Sequence, residues 1–278
     1  MIASRSFHSL CTHKISNPES ESRRLPSTYP TNAGESIYIH TTALEGFVSE
    51  LLPKIQVPFV LVSGDTDRTV PDDCQKACAQ ILGNRFLIHW FAQNCTKTDN
   101  PKLVQLPIGL DFHTLANRKH WWGPQQTIEE QTSSVEKLRN LQVKKRPICY
   151  GNFQFLMNTR YANDRRNAIA EVNRELVYYE PRPIPRLESW NNMIQHKYVI
   201  SPHGNGLDCH RTWEALALGC IPIVRTSSLD PMFNGLPVLI VKEWSDVTAE
   251  VLDSFVPDYS CVDKLKLEYW NEFMFQNK

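Results

Sequence analysis

The chain has 278 residues, of which 41% are hydrophobic and 22% charged, an ordinary globular composition with room for one large domain or two compact ones. Thirty basic side chains balance thirty acidic ones, so no basic field points to nucleic acid or an anionic membrane, and any bound phosphate must be held by a local cluster. No run approaches the roughly 18 apolar residues of a membrane span, and the opening MIASRSFHSLCTHK lacks the apolar core of a signal peptide. A cytoplasmic, soluble protein with no integral membrane segment is therefore expected.

In chain order, residues 1–35 read as a polar, irregular lead-in with room for one short strand. A strand follows at 37–40, then a helix over 42–54 with Leu44, Phe47, Val48, Leu51 and Leu52 on one face. VPFVLVSG (57–64) is an unbroken apolar run, the mark of a parallel strand buried on both faces. A helix over 72–82 and strands over 85–93 and 102–109 come next. Residues 123–147 turn polar, with a solvated helix expected at 126–140, and the domain switch is placed near 145. Beyond it alternate strands at 147–153, 177–180, 198–202, 220–224 and 236–241 with helices at 160–174, 189–197 and 208–219; 246–276 reads as largely helical. Such alternation, made twice over, predicts an α/β protein of two doubly wound halves. The expected domains are 1–145, 146–250 and a C-terminal helical segment, 251–278, bridging back to the first.

The eight cysteines, Cys11, Cys74, Cys78, Cys95, Cys149, Cys209, Cys220 and Cys261, are scattered and form no CxxC pair. They read as reduced, mostly buried thiols, since a zinc site needs tighter spacing.

The most informative stretch is SPHGNGLDCHRTWEALALGCIPIV, residues 201–224. A strand gives way to a loop, His203-Gly204-Asn205-Gly206, and then to a helix. Glycines let a ligand approach the backbone, and the first helical turn offers unpaired N–H groups and a positive dipole end, an arrangement suited to an anion. Arg211 and Glu214, three apart, share a helix face. The arginine can reach phosphate oxygens and the carboxylate can accept from both hydroxyls of a ribose. The same spacing also suits a surface ion pair.

This run, with its glycine-bearing loop, Arg, Glu-Ala-Leu, Gly-Cys and Ile-Pro-Ile, resembles the exostosin-like glycosyltransferases. The upstream pieces VSGDTDRTVP, HWFAQNC and PKLVQLPIGLDFHTL resemble the compact members encoded by large DNA viruses of algae, so that the likeness spans roughly 37–250. The resemblance implies a GT-B architecture, two Rossmann-like domains facing a central cleft that holds a sugar nucleotide. It implies inverting transfer from a UDP-sugar, with xylose the expected sugar, to a hydroxyl of an oligosaccharide acceptor, and host-cell cytoplasm for a virus-encoded member. On it, Glu214 holds the donor ribose and the 203–208 loop faces the diphosphate. The membrane anchor of animal Golgi members has no counterpart in this sequence.

The remaining donor candidates are Asn152 and Phe153 at the end of the first strand of the second half, Arg160, Arg165 and Arg166 for the leaving diphosphate, and Tyr178 or Tyr179 for the base. Neighbours on a strand point to opposite faces, so one of the two tyrosines belongs to the core. His203 reads as a loop hydrogen-bonder rather than a base. An inverting transferase needs a base for the acceptor hydroxyl; Asp73 is the first candidate, then Asp67 and Asp65. His89, Trp90, Asn94, His113, Trp121 and Trp122 are candidates for an acceptor pocket. No cofactor is expected, the UDP-sugar being a substrate. Asp65-Thr66-Asp67 has the DxD form that binds a divalent metal in GT-A enzymes, and the GT-B resemblance argues against a metal. The rival readings are a metal-dependent transferase or hydrolase using Asp65 and Asp67, and a non-catalytic protein that binds glycans or sugar nucleotides.

Overall fold

The computed structural model describes residues 1–96, 99–155 and 158–275; residue 276 of the expected helical tail lies outside them. The chain is mixed α/β, with two wholly parallel sheets. It divides into two compact units, 2–108 with 266–278, and 109–265.

In the first unit the strands β1 (Glu35–His40), β2 (Phe59–Gly64), β3 (Leu87–Gln93) and β4 (Leu103–Leu106) pair in sequential order. All six residues of β2 are buried, which the unbroken apolar run anticipates. Ile37, Ile39, Phe59, Leu61, Trp90 and Ala92 pack with Leu44, Phe47 and Ile81 in one core. The helix expected at 72–82 spans Gln75–Leu82. Asp73 is used before the helix begins, its Oδ2 accepting from both the N–H and the hydroxyl of Thr69 at 2.8 Å. The lead-in holds a short helix, Ser6–Leu10, and His13 bridges to Ile37 parallel to β1. The last helix, Leu267–Phe275, belongs to this unit, with Trp270 edge-on to Phe7 at 5.9 Å.

In the second unit, β5 (Arg146–Gly151), β6 (Val177–Tyr179), β7 (His196–Ile200), β8 (Ile221–Arg225) and β9 (Leu239–Val241) take the order β6-β5-β7-β8-β9. The chain leaves β5 for β6 on one side and returns to β7 on the other. The point of reversal therefore lies between β5 and β7, and in such sheets ligands bind outside the carboxyl ends of the strands at this point. The unit starts at Gly109, not near 145 as the polar stretch suggested. The reason is packing. Within 109–145, Gln131 donates to the Phe112 carbonyl at 2.9 Å, and Arg186 on the helix Arg186–Met193 bonds the Asp111 carbonyl and Gln131 Oε1. The solvated helix expected at 126–140 spans Ile128–Arg139 and opens with a Thr127–Glu130 capping box. All eight cysteines are free thiols, six of them buried. No helix among the described residues is long and apolar enough to cross a membrane.

Candidate functional site

The end of β5 runs into Asn152 and Phe153, and the end of β7 into Ser201–Gly206, so the reversal point brings these two loops side by side. Arg165, on the helix Ala162–Glu171, and Arg211, on the helix His210–Ala217, both lie against the Phe153 ring, their guanidinium carbons 5.9 and 5.0 Å from its centroid. Arg165 is 7% exposed. It donates from Nε to the His203 carbonyl at 3.1 Å and from Nη1 to the Gln154 carbonyl at 3.0 Å. Arg211 donates from Nε to the Asn152 carbonyl at 3.1 Å and from Nη1 to the Pro202 carbonyl at 3.2 Å. Neither has a carboxylate at ion-pair distance among the described residues. Burial, and after it the neighbouring Arg165 charge, lowers the Arg211 pKa to about 10. Two cations, Arg165 buried and Arg211 half-buried, are held by neutral carbonyls with no carboxylate at ion-pair distance, and that arrangement suits a multiply charged anion.

The loop between them is braced from below. Asp164 is buried and takes the His203 N–H at 2.8 Å, the Trp244 Nε1–H at 2.9 Å and Arg225 Nε at 3.1 Å. His203 donates from Nδ1 to the Leu207 carbonyl at 2.7 Å, the loop-bonding role expected of it. Gly204 accepts from Thr159 Oγ1 at 3.2 Å; a Cβ there would lie 2.4 Å from Arg165 Nη2, so only glycine lets this guanidinium close on the loop. Gly206 accepts from the Gly204 N–H at 3.1 Å, and Asn205 is exposed at the tip. Asp208 receives the Trp213 Nε1–H at 2.8 Å and fixes the helix against the loop.

Glu214 is half-buried one turn along the same helix, with Oε1 3.9 Å from Arg186 Nε. Arg186 continues to Asp111, whose Oδ1 also lies 3.1 Å from His113 Nδ1. Burial pushes the Asp111 carboxyl upward, but the His210, His113 and Arg186 charges outweigh it and bring the group down to about 2.

Of the expected donor residues, Asn152, Phe153, Arg165, His203, Gly204, Gly206 and Arg211 come together at this point, with Asn205 at the loop tip and Glu214 one helical turn away. Arg160 and Arg166 are exposed, and Arg160 lies over the Tyr161 ring at 5.5 Å. Tyr179 packs within its own unit. Its hydroxyl donates to the Ala168 carbonyl at 3.1 Å, its ring fills the space over Gly151, and burial raises its pKa to about 12. Tyr178 is the exposed neighbour.

In the first unit the loop that carries Asp65, Asp67 and Asp73 lies beside Asn94, whose carbonyl accepts from the Val70 N–H at 3.1 Å. Asp65 is buried with a φ of 57°, its Oδ2 3.0 Å from Arg5 Nε and 3.3 Å from His40 Nε2, which leaves it a bracing carboxylate rather than an open base. Asp67 is half-buried and Asp73 is exposed. Trp90 is a core residue, wholly buried, with Nε1 donating to Ser63 Oγ at 2.8 Å. Asn94 is buried and ties the Thr66 carbonyl at 3.0 Å, while His89 is half-buried on β3. His113 belongs to the second unit. Among the described residues no group of three or more His, Cys, Asp or Glu side chains is arranged to hold a metal.

Sequence reasoning missed Asp164, Asp111, Arg186 and His210. Asp164 sits in a charged run with nothing to mark it as buried. His210 did carry a signal, since it immediately precedes Arg211. No protein-family model matches the chain, and no curated protein matches its sequence.

Proposed function

We propose that this chain is a nucleotide-sugar glycosyltransferase whose donor site is the reversal point between β5 and β7. The observation that carries the reading is the pair of guanidiniums, Arg165 buried and Arg211 half-buried, without a carboxylate at ion-pair distance at the edge of a parallel sheet. A nucleoside diphosphate is the ligand class that fits. Its two phosphates supply the missing negative charge, and Glu214 on the same helix offers a carboxylate for ribose hydroxyls.

In glycosyl transfer the acceptor oxygen bonds to the anomeric carbon as the bond to the diphosphate breaks, and the departing oxygens gain charge. Fixed cations that await this charge lower the barrier, and these two arginines are suited to do so without a metal. The resemblance to exostosin-like enzymes supports UDP as the nucleotide, xylose as the sugar, an oligosaccharide as the acceptor and inversion as the outcome. Two parallel Rossmann-like sheets are the component parts of a GT-B enzyme. Asp73 is the exposed acidic candidate for the base.

A panel of UDP- and GDP-sugars, read by thermal shift and by donor hydrolysis with and without a chelator, tests the proposal. UDP-sugars are expected to stabilise the protein and to be turned over with chelator present. A preference for GDP-sugars overturns the choice of nucleotide. Absence of any nucleotide effect overturns the donor site, and activity abolished by the chelator favours the metal-dependent rival.

A further inference from the structure

The helix His210–Ala217 begins with an imidazole that the donor reading leaves without a task. His210 Nδ1 lies 2.7 Å from the Gly109 carbonyl oxygen. A carbonyl has no proton to give, so Nδ1 is the donor and the neutral ring is fixed as the Nδ1–H tautomer, with a lone pair on Nε2. Among the described residues Nε2 has no hydrogen-bond partner, and it is not one of the sealed nitrogens such as His89 Nδ1 and His196 Nε2. The half-buried ring therefore opens to solvent at this atom.

His210 is bonded in sequence to Arg211 and lies one turn from Glu214 on one helix face. The helix starts here, so its unpaired N–H groups and positive end lie beside the ring. The charged groups around the imidazole are Asp111 and His113 from the segment entering the unit, Arg186 from the helix Arg186–Met193, and Arg211 and Glu214 from its own helix. A lone pair on Nε2 would repel a phosphate oxygen, whereas a proton there would bond it.

We propose that His210 is a proton-linked contact to the diphosphate of the bound nucleotide. With Nδ1 committed to Gly109, Nε2 donates to a phosphate oxygen only as the imidazolium, so binding draws one proton from solvent onto Nε2. The inference rests on the nucleotide-diphosphate reading above and deepens it: the site recognises the phosphates with two permanent cations and one conditional one.

Calorimetric titration of the full chain with UDP, in buffers of differing ionisation enthalpy, reads the proton directly. Uptake of up to one proton per bound UDP is expected, rising with pH. Affinity should fall by about tenfold per pH unit where the linkage is steepest. The last ionisation of the phosphates, near pH 6 by analogy with phosphoryl groups, contributes little there. Uridine, which lacks phosphate, should draw no proton. H210Q, whose amide donates without protonation, should bind UDP with neither uptake nor pH slope, its melting curve checking that it folds. UDP binding without uptake, or uptake that persists in H210Q, overturns the role of His210 and leaves the donor site standing. Failure of the wild-type chain to bind UDP at any pH overturns the donor reading and this inference with it.

Discussion

Arg165 and Arg211 both lie against the Phe153 ring, each bonded to backbone carbonyls and neither with a carboxylate at ion-pair distance among the described residues. Like charges brought together away from water cost free energy, which the Glu214 charge offsets only in part, since burial and the Arg165 charge still leave the Arg211 pKa lowered. The pair is stable because carbonyl dipoles solvate both groups, and it is poised to gain from an arriving anion.

Replacing Arg211 by methionine should keep the fold and weaken UDP by about ten- to a hundredfold, the range for charge-assisted bonds lost at a buried site. Arg165→Met should do the same at somewhat greater cost to stability, since Arg165 is the more buried of the two. Equilibrium binding of UDP measures both. Wild-type affinity in either variant would remove the guanidinium pair from the site.

Gly204→Ala separates function from stability. The added Cβ would meet Arg165 Nη2 at 2.4 Å, and the end of a long side chain can move aside. The variant should melt near the wild type yet bind pyrophosphate and UDP several-fold more weakly. A large fall in melting temperature with UDP affinity unchanged would mean that the close approach serves packing alone.

Asp164→Ala strands three donors, the His203 N–H, Trp244 Nε1 and Arg225 Nε. Unpaired buried polar groups cost about 1–3 kcal/mol each, so denaturant unfolding should show a loss of several kcal/mol. A loss below about 1 kcal/mol would mean that water or neighbours replace the carboxylate.

Asp111 predicts an acid limb of stability. Its pKa lies below the ordinary carboxylate value of 3.8, at about 2, so the ionised form is favoured by folding. The stabilisation is complete above about pH 4 and is lost as pH falls toward 2, and it amounts to about 2 kcal/mol. Asp111→Asn should flatten this limb in denaturation series between those pH values, and an unchanged acid limb would show that the carboxylate gains nothing from its neighbours.

Asp73→Asn tests the base. Turnover should drop by about 10²–10⁴-fold with UDP affinity unchanged; undiminished turnover would move the base elsewhere.

The sequence by itself determined the alternation of strands and helices, because buried parallel strands such as 59–64 must be continuously apolar. It also determined the 203–206 loop and the helix after it, since loop glycines, Arg211 and Glu214 are local along the chain and helical spacing sets their neighbours. Only the tertiary structure decided the rest. Arg165 joins Arg211 across 46 positions of chain because the sheet reverses between β5 and β7. Strand order is set by long-range packing, which no window of residues reports. The unit boundary moved to Gly109 for the same reason, through the bonds of Arg186 to Asp111 and Gln131. Asp65 and Asp73 are alike as carboxylates in a loop; the Arg5 guanidinium and a backbone turn, both fixed by folding, separated a brace from an exposed acid.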